Sequence, residues 1–481
     1  MNACRLAPPL TTVVCLSLFL LSTTCTRSSV NPDFDSIYSR SAMYHGIDRN
    51  PIIVIPGVLG SKLMDKVTGK TIWGAFGGNY ANPSIDKEVR LIALPMKQGV
   101  PLKDLRDDVL ADGALDQITV NLAGLPIQIG AYVDIIVTLG AGGYRDQQLA
   151  LSGAIDYGDE HFTCFQFSYD WRRDNVESVK ALHQYILQQR AYIKQKYLEK
   201  HGKDVALDDI RFDIAAHSMA GLIIRYYLRY GAVDLPEDGS LPPLTWEGTQ
   251  YIDRVVLIGT PNAGSVESLN TLINGADFLP FYPKYQAAIL DTMPGLYQLL
   301  PRQRHAIVVE KGSPEKRIDV LDIDVWEKYR WGMLNPDQDE LLQSLLPDAA
   351  NQTERQRIAK DHMAKSLNRA RHFFQALDSP ATPPDGPRLK LVAGDAVATD
   401  AVVEVNAENG ELNVIKQLPG DGSVTRGSAL MDERVGGEWA PTLQSPIDWS
   451  AVTFLFTDHL GLTKDPVFTD NVLYYLLEQP R

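Results

Sequence analysis

Short apolar runs recur along the chain, each closing on glycine, proline or a polar turn. They are PIIVIPG from Pro51, FTCFQFSYDW from Phe162, IRFDIAA from Ile210, DRVVLIGTP from Asp253, RLKLVAG from Arg388 and SAVTFLFT from Ser450. Runs this short and this apolar read as parallel strands buried on both faces. Helical patterns lie between several of them, the longest being VESVKALHQYILQQRAYIKQKYLEKH from Val176 to His201. Strand and helix in alternation predict an α/β fold built on a mostly parallel, doubly wound sheet.

Two spacers are too long for simple crossovers, about 61–161 and 266–387. The first holds LIALPMKQGVPL and the apolar segment LAGLPIQIGAYVDIIVTLGAGGY. The second holds the helical pattern ERQRIAKDHMAKSLNRARHFFQAL and returns through the Pro-rich DSPATPPDGP. Both are expected to be lid or cap insertions in one catalytic domain spanning 50–481, preceded by a linker over 26–49. EVNAENGELNVIKQ, with Asn409-Gly410 at its centre, predicts a hairpin after the RLKLVAG strand.

The chain opens MNACRLAPPLTTVVCLSLFLLSTTC, where Arg5 is the single charge and the apolar stretch from Val13 to Leu21 is too short to span a bilayer. Residues 1–25 therefore read as an export signal, so a secreted or periplasmic protein is expected. Leu21-Ser22-Thr23-Thr24-Cys25 resembles a lipoprotein box, and lipid attachment at Cys25 stands beside plain cleavage nearby. Of the four cysteines, Cys4 and Cys15 leave with the signal, and Cys164 is expected to be a buried strand residue. A formal charge of −14 over 481 residues argues against nucleic acid as a partner.

Candidate chemistry centres on DIAAHSMAGLIIRYYL, from Asp213 to Leu228, where Ser218 sits between an apolar run and a helical one. A nucleophile on a sharp strand-to-helix turn needs small residues two before and two after it, here Ala216 and Ala220. Ala150-Leu151-Ser152-Gly153-Ala154 satisfies the same loose pattern, but Ser152 has neither the strand before it nor the helix after it. Serine needs a base to take its proton, and a carboxylate to orient that base. His459 directly follows the last strand, whereas His305, His362 and His372 fall in the second spacer and read as solvated helix positions. His217 reads as a packing residue. Two aspartates follow the RLKLVAG strand: Asp421, between glycines that permit a tight turn, and Asp395, at the strand end. The N–H groups of Met219 and Val58 are the candidate oxyanion donors, with Gly57 and Gly60 expected to turn the loop's amides outward.

With these residues in place the chain resembles the lecithin:cholesterol acyltransferase family, which includes lysosomal phospholipase A2 and bacterial relatives. The matching blocks, in the family's order, are IVIPGVLGSKL, GGYRDQQ, SYDWRRD, AAHSMAGLIIRYYL, VVLIGTPNAGS, PGDGSV and DHLGLTKDP. The resemblance implies an α/β-hydrolase fold, with Ser218, Asp421 and His459 as triad and the Val58 and Met219 amides as oxyanion hole. It also implies transfer of a fatty acyl chain from a glycerolipid, through an acyl-serine, to water or an alcohol. The chain departs from the family in having Ala216 and Ala220 where glycine is usual. It also lacks the cysteines for the lid disulfide of the animal members, and its second spacer does not align.

Ser168-Tyr169-Asp170-Trp171-Arg172-Arg173-Asp174 ends a strand with dense charge, and reads as an ion-pair cluster beside the site, or as a contact for the polar part of a lipid through Asp170 and Arg172. No histidine or cysteine pair has metal-ligand spacing, so a mechanism free of metal and cofactor is expected. Two other functions remain open on the sequence: an esterase or thioesterase for a non-lipid substrate, and a non-catalytic envelope protein that keeps the fold for binding. The sequence does not decide between hydrolysis and transfer, nor does it reveal the oligomeric state.

Overall fold

Each apolar run supplies a strand to one six-stranded sheet in the computed structural model, which describes residues 32–74, 80–114, 117–122, 125–130, 132–278, 282–305 and 307–480. The strands are β1 (Ile52–Ile55), β2 (Cys164–Gln166), β3 (Phe212–His217), β4 (Ile252–Ile258), β5 (Arg388–Gly394) and β6 (Trp449–Leu455). Their order across the sheet is β6-β5-β4-β3-β1-β2, and every neighbouring pair is parallel. The expected export signal, with Cys4, Cys15 and Cys25, lies outside the described residues.

Alternate residues of each strand enter two different apolar clusters. Ile53, Ile214, Val255 and Leu391 face one, while Val54, Ala215, Val256 and Val392 face the other. Both faces of the sheet are therefore covered, which is why the strands read as unbroken apolar runs. Full burial of one such side chain contributes about 1.5–3 kcal/mol. The smaller cluster is closed by α1 (Val133–Ala141) and α6 (Pro466–Leu473), through Ile135, Leu139, Phe468 and Val472. The larger takes in α2 (Asn175–His201), α3 (Ala220–Tyr230), α4 (Val266–Asn274) and α5 (Gln352–Asp378). Cys164 is buried and free.

Local chemistry sets the ends of the long helices. The Asp174 side chain accepts from the Val176 N–H at 3.1 Å to start α2, and Gly202, at φ 63°, ends it. At the start of α5 the Asn351 side chain accepts from the Glu354 N–H at 3.0 Å, while Glu354 accepts from the Ala350 N–H at 2.8 Å.

The second spacer departs from expectation at two histidines. His362 is buried on α5, with Nε2 3.0 Å from the Thr292 carbonyl, and His305 is buried against Glu433 at 3.1 Å. Neither lies on a solvated face; of the three expected there, His372 alone keeps partial exposure. For His362 the cause is that α5 packs into the larger core through Ala359, Met363, Leu367 and Ala370, so the positions flanking that stripe are covered too.

The predicted hairpin forms between Val397–Val405 and Leu412–Gly420. Its base closes where Val397 bridges to Asp421, and its tip is held by Trp331, whose Nε1 donates to the Gly410 carbonyl at 2.7 Å.

Candidate active site

Ser218 occupies the joint between β3 and α3 with φ 54°, a left-handed backbone that a non-glycine residue adopts at a cost of about 1–3 kcal/mol. Such a cost persists where the surroundings impose it. The Ser218 N–H donates to the Ile258 carbonyl at 2.7 Å, and Ala216 and Ala220 are fully buried on either side. The loop after β1 presses on the elbow: a Cβ on Gly57 would lie 2.7 Å from the Ser218 Cβ, so only glycine fits there. Ser152, by contrast, is an exposed C-cap whose hydroxyl donates to the Leu149 carbonyl at 3.1 Å.

His459 follows β6 and is held twice by Asp421. Its Nδ1 lies 2.8 Å from Asp421 Oδ2, and its backbone N–H donates to the Asp421 carbonyl at 2.9 Å. The other carboxylate oxygen, Oδ1, accepts from the Ser423 and Val424 N–H groups at 3.0 and 2.7 Å, which fixes the turn predicted around this residue. Burial alone would lower the His459 pKa, but the Asp421 charge and hydrogen bond outweigh it and hold the imidazole above its ordinary value. Gly259, at φ 58°, makes room for the ring: a Cβ there would stand 2.9 Å from the His459 Cε1. Asp395 points elsewhere, its Oδ2 accepting from Arg426 Nη1 at 2.8 Å.

Ser218 and His459 line one cavity of about 270 Å³ with no hydrogen bond between the hydroxyl and the ring. Val58, Phe278, Leu296 and Leu299 give the cavity apolar walls, and Glu267, in the first turn of α4, stands at its polar side. Among the described residues neither the Val58 nor the Met219 backbone N–H donates a hydrogen bond. The positive φ of this loop falls on Leu59, at 64°, whose carbonyl accepts from Trp73 Nε1 at 2.6 Å.

The charged motif after β2 holds this loop from behind. Tyr169 donates its hydroxyl to the Pro56 carbonyl at 2.9 Å and its N–H to Ser61 Oγ at 3.1 Å, and Trp171 Nε1 donates to the Ser61 carbonyl at 3.3 Å. Arg172 is fully buried on Asp170, Asp107 and the Ile92 carbonyl. Neither Asp170 nor Arg172 lines the cavity.

Tyr132, which the sequence did not single out, and His217, read there as a packing residue, complete the surroundings. Tyr132 accepts the Gly57 N–H at 2.8 Å and stands 3.2 Å from His217 Nδ1, and His217 Nε2 stands 3.4 Å from the His459 carbonyl. Burial, and then the neighbouring His459, push the His217 pKa down to about 3, so this imidazole is neutral. His217 therefore does more than pack. It connects the loop of Gly57 and Val58 to the loop of His459.

The family model described as Lecithin:cholesterol acyltransferase matches residues 153–361, a segment that contains Ser218 and excludes Asp421 and His459. No curated protein matches the chain. Among solved structures, one titled "The crystal structure of Tle4-Tli4 complex" is similar at 15% identity and TM-score 0.53, over 90% of this chain and 99% of that one. EstA from Clostridium botulinum matches at 14% identity and TM-score 0.32, over 94% and 92%. Phospholipase PlaB from Legionella pneumophila matches at 16% identity and TM-score 0.16, over 30% and 27%. Family match and fold point to an enzyme of the lipase, esterase or acyltransferase kind. Over residues 153–361 the chain is similar to the lecithin:cholesterol acyltransferase family, and its fold is that of an α/β-hydrolase.

Proposed function

We propose that the protein is a serine-dependent acyl-ester hydrolase or O-acyltransferase that takes fatty acyl chains from glycerolipids. The observation that carries this reading is the 2.8 Å contact of Asp421 with His459 Nδ1, in a ring that lines the same cavity as Ser218 and whose Nε2 makes no hydrogen bond among the described residues. In the reaction His459 Nε2 takes the Ser218 proton as Oγ attacks the ester carbonyl, and Asp421 stabilises the imidazolium that forms. The Val58 and Met219 N–H groups, with no other acceptor, receive the oxyanion; loss of one such donor costs about 10²- to 10³-fold in rate. The tetrahedral species collapses as Nε2–H passes to the leaving alcohol. Water or an alcohol, deprotonated by His459, then releases the acyl group from Ser218.

The family match and the apolar walls from Phe278, Leu296 and Leu299 support an acyl chain as the bound group. Export behind residues 1–25 belongs to the same proposal, and would place the enzyme with extracytoplasmic lipid. A fluorophosphonate probe tests the reading: wild-type protein is labelled at Ser218 and the Ser218→Ala variant is not. Labelling at a different serine would overturn it. Phospholipid vesicles should be hydrolysed faster than short soluble esters, and the reverse order would favour a non-lipid esterase.

A further inference from the structure

At the edge of the sheet opposite Ser218, where β5 and β6 begin, a second cavity of about 350 Å³ opens beside the C-terminal half of α3. Arg225, Arg229 and Trp246 line it, together with the Pro-rich return at 381–387. Both arginines are only 5% exposed. Arg225 donates to Asn262 Oδ1 at 3.0 Å and to the Leu377 carbonyl at 3.1 Å. Arg229 donates to the Ser379 carbonyl, keeps its guanidinium 5.4 Å from the Trp246 ring centre, and leaves Nε without an acceptor.

All of these acceptors are neutral. The nearest buried carboxylate, Asp378, is already bound by Arg302 at 3.0 Å and Arg304 at 2.9 Å, and Arg304 also takes Glu433 at 2.7 Å. Asp385 and Asp448 line the cavity mouth as exposed side chains and pair with neither arginine. Arg225 and Arg229 thus carry positive charge into a covered space with no acid in contact. A buried guanidinium without a counter-charge is expensive, and the cost falls when an anion arrives. Burial, despite Asp378 and aided by repulsion from Arg302 and Arg229, pushes the Arg225 pKa down to about 9. The partial negative charge at the end of α3 offsets part of Arg229, in the helix's last turn, and does less for Arg225 one turn earlier.

We propose that this cavity binds a phosphate-type anion, gripped by the Arg225 and Arg229 guanidiniums against the wall of Trp246. Planar guanidinium forks match tetrahedral oxyanions in pairs of hydrogen bonds, and the volume accommodates a phosphate with a substituent. The source is either free phosphate or the headgroup of an anionic phospholipid. The site lies about 15 Å from the nucleophile, along the length of α3, and does not depend on the acyl-transfer reading.

Calorimetric titration of the full chain with inorganic phosphate tests the proposal. Wild-type protein is expected to bind with millimolar or tighter affinity, Arg229→Gln to bind about tenfold more weakly or worse, and Arg229→Lys to recover part of the loss. Hydrolysis of a soluble ester stays unchanged in Arg229→Gln. In parallel, vesicles of phosphatidylcholine with and without phosphatidate are sedimented with each protein. Phosphatidate-dependent binding that falls in Arg229→Gln and is competed by phosphate identifies the headgroup as ligand, and its absence alongside phosphate binding identifies the free anion. A thermal-shift measurement gives an independent readout: phosphate raises the melting temperature of wild type and not of Arg229→Gln. Equal phosphate affinity in wild type and Arg229→Gln overturns the proposal, as does failure of wild type to bind both phosphate and phosphatidate vesicles.

Discussion

The Tyr132 hydroxyl stands 3.2 Å from His217 Nδ1 while it accepts the Gly57 N–H at 2.8 Å. A carbonyl can only accept, so the His459 oxygen places the His217 proton on Nε2, and Nδ1 must accept from Tyr132. Tyr132→Phe removes the middle of this chain and leaves the Gly57 N–H and Nδ1 unpaired in a buried place. The expected cost is about 1–3 kcal/mol of stability and about tenfold in kcat, because both the oxyanion loop and the His459 loop lose a restraint. Thermal denaturation and ester-hydrolysis kinetics measure the two effects separately.

In the proposed mechanism His459 must be neutral to accept the Ser218 proton, so activity is expected to fall as pH drops through the His459 pKa. Asp421 holds that pKa above the ordinary 6.5, which moves the acid limb of kcat/KM upward. Asp421→Asn is expected to lower the plateau by about 10³- to 10⁴-fold and to move the acid limb to lower pH, since burial is then unopposed by the carboxylate. A pH profile whose acid limb is the same in both proteins would remove His459 from this role.

Gly57→Ala puts a methyl group 2.7 Å from the Ser218 Cβ. The loop must retreat, carrying the Val58 N–H away from the oxyanion, and kcat should fall about 10²-fold or more. Circular dichroism and the melting temperature are expected to change little by comparison, because the loop can give way without disturbing the sheet.

Leu299 lines the cavity that Ser218 and His459 share. Leu299→Trp fills part of the roughly 270 Å³ available, so kcat/KM for long-chain esters should drop at least tenfold while butyrate esters are spared. A series of p-nitrophenyl esters of increasing chain length reports this directly.

The sheet was legible because a strand buried on both faces needs an unbroken apolar run, and that constraint leaves little freedom at Ile52–Ile55 or Phe212–His217. The strand-to-helix elbow at Ser218 was legible through its small neighbours, and the turn at Asp421 through its glycines. Tyr132 was not, because its part is a single hydroxyl on an apolar segment, and nothing in local spacing says which loop that hydroxyl meets. The buried state of His305 and His362 was hidden for a related reason. Each is satisfied by one distant partner, Glu433 or the Thr292 carbonyl, and the helical pattern around His362 is rich enough in charge to suggest solvent. The positive φ at Leu59 escaped because glycines stood on both sides of it.

The arm that delivers Asp421 is held at its root by Val397, along its first strand by the parallel strand Val308–Glu310, and at its far end by the Trp331 indole. Trp331 and the strand Val308–Glu310 belong to the long insertion between β4 and β5, so a displacement of that insertion would reach the carboxylate proposed to orient His459. Opening the cavity and disarming the catalyst would then be one motion.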